Sequence, residues 1–242
     1  GAFSADLLNT GTIRAATEAE DARATGALVS SVAGDAGLTS SGDILASASG
    51  ATAYAIGAKL LGADGALVDN GGRILAGAYG ADATAIGVWM GATGSNVLTN
   101  AGTIAAFRDA ARIAVWSGAG ASASIANHGS LIGAVVTGDL DDSLVNAAGA
   151  SWLVLGESDF GDGDDAIANH GSIRMQDAGI ALGSALAGNA FDNFGNLLVS
   201  GGNAIDMGGD SVFRNAGAIS FVDGATDDVL NVIGGFGGSG QL

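Results

Sequence analysis

Apolar residues in this chain fall neither at helical spacing nor in long runs. They come in short alternating stretches, cut at intervals by a polar corner. The corner has one form: Asn, any residue, Gly, any residue, then Ile or Leu. It reads Asn9-Thr-Gly11-Thr-Ile13, Asn70-Gly-Gly72-Arg-Ile74, Asn100-Ala-Gly102-Thr-Ile104, Asn127-His-Gly129-Ser-Leu131, Asn169-His-Gly171-Ser-Ile173, Asn193-Phe-Gly195-Asn-Leu197 and Asn215-Ala-Gly217-Ala-Ile219. Ser40-Ser-Gly42-Asp-Ile44 is a copy with Ser in the Asn place. Around Asn146-Ala-Ala-Gly149 an insertion leaves open which residue near Trp152 takes the Ile place. Short apolar runs such as Leu7-Leu8 and Val97-Leu98 precede the corners. Asn and Gly tolerate positive φ and so can bend a strand sharply while Ile resumes it, so the motif reads as a corner between two strands.

Successive corners are 31, 30, 30 and 27 residues apart from Ile13 to Leu131, and 24 and 22 apart from Ile173 to Ile219. A fixed corner with a drifting period predicts a solenoid whose turns carry loops of different length. A further strand aligns in the long repeats: Ala53 to Leu60 lies over the stretch from Ala83, and Ala110 to Trp116 follows. Three strands per turn predict an all-β, single-stranded right-handed parallel β-helix of about nine turns, a rod roughly 43 Å long. Residues 1–242 read as one continuous unit, with longer turns in 1–126 and shorter turns in 127–242. Strand alternation puts Ile56, Ala58, Leu60, Ile86, Val88 and Met90 inward. Asn9, Asn70, Asn100, Asn127, Asn169, Asn193 and Asn215 are expected to form an internal ladder of amides. Thr17-Glu-Ala-Glu20 has a helix-capping pattern, but its alignment with the loop at 47–53 predicts a charged, exposed loop.

Composition narrows the picture. The chain has 43 Gly, no Pro and no Cys, and its 48% hydrophobic content includes only 5% aromatic residues. The core must therefore be thin and repetitive, and disulfides and thiol chemistry are excluded. Eight basic residues against 25 acidic give a net charge of −17, which would repel a phosphate backbone, so nucleic acid is not an expected partner. No run of about 18 apolar residues occurs and Gly1-Ala2-Phe3-Ser4-Ala5-Asp6 lacks a signal-peptide pattern, so the chain reads as soluble.

The repeated Asn-x-Gly-x-Ile corner resembles that of bacterial autotransporter passenger domains, the type V secretion family with pertactin-like adhesins. The stretch Phe221-Val-Asp-Gly224-Ala-Thr-Asp227-Asp228-Val-Leu230 onward to Leu242 is similar to the sequence with which such passengers approach their membrane barrel. The resemblance implies a secreted or cell-surface protein, attached to a membrane only through a barrel outside this chain. It leaves the activity open, because the family spans adhesins, proteases and esterases.

Three turns carry an Asp pair: Gly138-Asp-Leu-Asp141-Asp142, Gly161-Asp-Gly-Asp164-Asp165 and Gly224-Ala-Thr-Asp227-Asp228. The middle one matches half of a calcium nonapeptide, but the copies stand alone where calcium needs consecutive repeats. They recur in register where a glycosidase pair would be a single break. Polar turns are the simpler reading, with no metal and no cofactor expected. His128 and His170 would sit two turns and about 10 Å apart, too far to share a metal. If Ile56, Ile86 and Ile113 are equivalent, then Lys59, Trp89 and Trp116 share an outward column, a stacked apolar platform for a glycan or protein partner. The expectation is a non-enzymatic extracellular or cell-surface module, adhesive or fibre-forming, with a polysaccharide-cleaving β-helix enzyme as the alternative. Open strand edges at both ends make end-to-end association of copies a further expectation.

Overall fold

The computed structural model of the chain describes residues 4–107, 111–118, 120–183, 188–221 and 229–234. All the regular structure in these residues is β, and every strand pairing is parallel. The strands stack as a parallel β-helix with three faces.

The first face contains nine strands, from Ala5–Asn9 through Gly65–Asn70 and Ser122–Asn127 to Val212–Asn215. Each ends on the corner Asn, or on Ser40 in the second turn. Nine strands make eight steps, about 38 Å at the usual spacing. The second face starts three residues after the corner Asn, as in Thr12–Glu18, Arg73–Tyr79 and Asn196–Ser200, and five after Asn146 in the copy with the insertion. The third face comprises strands such as Arg23–Ser30, Tyr54–Leu61, Thr84–Met90 and Ala111–Ser117, and ends on Val229–Gly234.

Register keeps the corner Ile in one column. Ile13 pairs with Ile44, Ile44 with Ile74, Ile74 with Ile104, and Ile104 with Leu131. Leu131 then pairs with Trp152, Trp152 with Ile173, Ile173 with Leu197, and Leu197 with Ile219. Trp152 therefore takes the Ile place in the copy with the insertion. It is fully buried and its indole N–H donates to the Gly133 carbonyl at 3.0 Å.

The long and short turns differ in cross-section. In the first four turns the second face runs past the main core, and the chain returns along the third face. The space between holds a second buried cluster of eleven residues, all alanine: Ala46, Ala48, Ala76, Ala78 and Ala106 from one side, Ala22, Ala24, Ala53, Ala55, Ala83 and Ala85 from the other. Alanine suits this site because a methyl fills the narrow gap between two sheets without side-chain entropy loss. From Ser130 on, this lobe is gone. The second and third faces meet at one left-handed residue per turn: Gly133 (φ 126°), Gly156 (φ 89°), Asp177 (φ 44°) and Gly201 (φ 81°). Where the lobe is missing the core carries larger side chains, with Trp152, Phe160 and Phe191 the bulkiest fully buried residues.

The segment 17–24 is not helical. Thr17 and Glu18 end a strand paired with Ala48 and Ser49, residues 19–21 make the exposed turn that the alignment predicts, Ala22 enters the alanine lobe, and Arg23 starts the return strand.

Inward alternation on the third face needs correction. A side chain at Gly57 would meet the Ile74 methyl at 2.6 Å and the Gly87 carbonyl at 2.5 Å, so Gly57 itself points inward. Ala55, before it, belongs to the alanine lobe, and Ala58, after it, to the main core. Two consecutive inward residues break the alternation, and Gly57 drops out of the ladder pairing between Ile56 and Ala58. Gly26 and Gly87 repeat the geometry against Ile44 and Ile104. Ala58, Leu60, Val88 and Met90 are inward as expected. Ile56 and Ile86 are buried but belong to neither core cluster, and their alternation with Ala55 and Ala85 of the alanine lobe turns them away from it.

Candidate functional site

Three side-chain columns run along the rod. The first is the corner ladder. Asn70 Nδ2 donates to Asn100 Oδ1, Asn100 to Asn127, Asn127 to Asn146 and Asn146 to Asn169, each at 2.8 Å. Asn169 donates to Asn193 and Asn193 to Asn215 at 2.7 Å. The second amide proton goes to a backbone carbonyl of the next turn, as from Asn127 to Ser151 at 3.0 Å. Asn9 donates to the Ser40 hydroxyl at 3.0 Å, and that hydroxyl donates to the Gly42 carbonyl of its own turn at 3.2 Å, so Ser40 accepts as a ladder Asn does but does not pass the bond on to Asn70. These amides are buried except that of Asn215. The chain of aligned amide dipoles is a structural spine, and neighbouring bonds polarise one another.

The second column is outward on the third face: Leu28, Lys59, Trp89, Trp116, Val136, Asp159, Ala181, Asp206 and Ile233, each paired with the next. Lys59, Trp89 and Trp116 are thus on adjacent turns, half-buried. The alignment of Ile56, Ile86 and Ile113 that pointed to them holds as a register, although Ile56 and Ile86 belong to neither core cluster. The break at Gly57 restores the outward direction three residues later.

The two indoles do not form a flat platform. Their ring centroids are 4.7 Å apart with planes crossing at 74°, an edge-to-face pair. Lys59 Nζ lies 3.7 Å from the Trp89 ring centroid, a cation–π contact one turn below. Tyr54, which the sequence reading missed, meets Trp89 edge-on at 6.5 Å. Burial raises the pKa of the Tyr54 hydroxyl, with Arg23 on the preceding turn acting against it. Trp89 Nε1 is buried without a hydrogen-bond partner. The result is a small external cluster of Tyr54, Lys59, Trp89 and Trp116 on adjacent turns.

The third column lies at the inner corner where the third face returns to the first, always four residues before the corner Asn or Ser. It reads Ala5, Ala36, Ala66, Asn96, Ala123, Asp142, Asp165, Asn189 and Ser211. Asp142 and Asp165, the second members of two Asp pairs, are 2% and 1% exposed. Each side chain accepts from the backbone of the turn before: Ala123 N–H to Asp142 at 2.5 Å, Asp142 N–H to Asp165 at 2.8 Å, Asp165 N–H to Asn189 at 2.7 Å. Burial pushes Asp165 up to about 7, its amide hydrogen bond opposing and the charges of Asp142, Asp141 and Asp164 adding to the rise. Burial raises Asp142 as well, against its hydrogen bonds. Asp139, Asp159 and Asp162 line a shallow cavity outside this corner. The pair Asp227-Asp228 lies outside the described residues, as does most of the stretch from Phe221 to Leu242.

His128 and His170 are exposed on the corner, with Asn146 between their two ladder Asn residues. His170 stacks on Phe194 at 4.9 Å with planes 10° apart. No group of three or more His, Cys, Asp or Glu among the described residues is arranged to hold a metal ion. No known protein family, curated protein or solved structure matches the chain.

Proposed function

We propose that this protein is a non-enzymatic extracellular or cell-surface module, adhesive or fibre-forming, whose contact point is the aromatic cluster on the third face. The observation that carries the reading is Trp89 and Trp116 held half-exposed on adjacent turns of a rigid rod, with Lys59 over one indole. Partner interfaces concentrate their binding energy on Trp and Tyr with a nearby cation. The crossed planes suit a ligand that enters a corner, such as the C–H face of a sugar against one ring and its hydroxyls against the other's edge.

The resemblance of the corner repeat to autotransporter passengers supports a place outside the cell, and the net charge of −17 favours neutral or basic partners over anionic ones. End-to-end contact between copies is part of the same reading. The rival, a polysaccharide-cleaving enzyme, needs an accessible carboxylate pair. Asp142 and Asp165 are too deeply buried to reach a sugar and belong to a repeating column. Binding of labelled protein to a panel of glycans and bacterial or host cells tests the proposal. Trp116→Ala combined with Trp89→Ala should weaken retained binding by about 30-fold, the equivalent of roughly 2 kcal/mol, with circular dichroism unchanged. Binding that persists undiminished in the folded double variant would contradict it, and turnover of any glycan would favour the rival.

A further inference from the structure

The corner column before the first face contains two kinds of residue that ought to behave differently. Where it holds Asn, the second polar atom is a donor and finds an acceptor. Asn96 Nδ2 donates to the Ser117 hydroxyl at 2.7 Å, and Asn189 Nδ2 donates to the Met207 carbonyl at 2.8 Å. Where it holds Asp, the atom in that place is an oxygen. Asp165 Oδ2 is buried without a hydrogen-bond partner, and Asp142 Oδ2 is buried with only the Thr137 hydroxyl and the Gly138 amide beside it, neither in good hydrogen-bond geometry.

Register shows what surrounds them. Val136, Asp159, Ala181 and Asp206 are paired in sequence on the third face, so Phe160, Leu182 and Met207 follow one another in the next column. The place that Met207 takes beside Asn189 therefore falls to Phe160 for Asp142 and to Leu182 for Asp165. Both are fully buried apolar residues whose carbonyls can only accept. An ionised carboxylate there sets oxygen against oxygen in an apolar corner, one turn from a second carboxylate.

We propose that Asp142 and Asp165 are a proton-holding pair that stands in for two Asn residues of the inner ladder, so that the short turns are tight when the pair is protonated and loosen when it ionises. With a proton on Oδ2 each carboxyl keeps the amide bond at Oδ1 and gains a donor like that of Asn189. Without it, two like charges sit about 4.8 Å apart along the stack. The charges that bear on the pair are all carboxylates: Asp141 and Asp164 beside it in sequence, and Asp139, Asp159 and Asp162 at the cavity outside. The remaining neighbours in the column, Ala123, Asn189 and Ser211, and Thr137 on the third face, carry no charge. Nothing in that shell stabilises the ionised form by opposite charge.

The rise of Asp165 to about 7 and the upward direction for Asp142 agree with this geometry. The sign follows from linkage. Acids whose folded pKa lies above the unfolded value of about 4 bind more protons in the folded chain, so stability falls as pH rises through that window, and the loss is complete above about pH 7 to 8.

Thermal unfolding at pH 5, 6, 7 and 8 tests the proposal, with the wild-type chain beside Asp142→Asn/Asp165→Asn. The double variant keeps every other titratable group, His128 and His170 included, so the difference in slope between the two chains isolates the pair. The wild-type midpoint should fall by about 5 °C or more between pH 5 and pH 8. The double variant should be nearly flat and should exceed the wild type at pH 8. Carbon-13 NMR of the Asp carboxyls in the wild type gives a reading that needs no variant, and should show at least one titrating above pH 6. A wild-type midpoint that does not change with pH, a double variant with the wild-type slope, or side-chain carboxyls that all titrate below pH 5 would overturn the proposal. So would calcium ions that restore wild-type stability at pH 8 to its pH 5 value, since the pair would then be waiting for a cation.

Discussion

The first four turns and the turns after Ser130 bury their second face in different ways. In the long turns the strand continues past the main core and is covered by its own return strand, methyl against methyl, in a lobe of eleven alanines. In the short turns one left-handed residue turns the chain at once, and the space inward is filled by Trp152, Val154, Met175 and Val199. Alanine lets two sheets approach closely, but each methyl buries little apolar area, so the lobe gains stability from the number of repeats. The short turns gain it from a few large side chains. Loss of one residue should therefore matter more after Ser130, and gain of volume should matter more before it.

Trp152→Ala breaks the comparison most severely. It empties the largest side chain of the core and leaves the Gly133 carbonyl without its donor, and the cost should be about 4 kcal/mol in denaturant unfolding. Truncation of the spine comes next. Asn127→Ala removes the acceptor for Asn100 and the donor to Asn146, both fully buried, for about 3 kcal/mol. The same change at exposed Asn215 should cost less, about 1 kcal/mol, because it removes the acceptor of Asn193 at a site open to water. Ala76→Leu sharpens the difference between the regions: three added carbons in the lobe should cost about 2 to 3 kcal/mol, whereas Val199→Leu in the short turns should cost about 1 kcal/mol or less. The smallest effect is expected at Asp177, the one non-glycine with positive φ among the described residues. Asp177→Gly should be stabilising by about 0.5 kcal/mol, because relief of backbone strain slightly exceeds the added chain entropy.

The columns differ in how far the sequence exposes them. The Ile column and the Asn ladder are legible because corner spacing is rigid where loop length is not, and because Asn contrasts with its apolar neighbours. Trp152 is hidden by the insertion at Asn146-Ala-Ala-Gly149, which shifts it past the usual count. The alanine lobe leaves no signal in an apolar-polar pattern, since alanine occurs on both inner and outer faces. The turn of Ile56 away from the alanine lobe goes with Gly57 and Ala58 both pointing inward, which strict alternation cannot foresee. The Asp column has a fixed offset of four residues before each corner Asn, yet its occupants run through Ala, Asn, Asp and Ser. Position relative to the corner marks this column, whereas residue type does not.

Both regions share the amide spine, and hydrogen exchange at its side chains reports on it directly. Resolved by NMR, the Nδ2 protons of Asn70, Asn100, Asn127, Asn146, Asn169 and Asn193 should all exchange slowly, on either side of the step at Ser130, while those of Asn215 exchange at nearly the free rate. Fast exchange at buried Asn100 or Asn169 would contradict a continuous ladder through the two cross-sections.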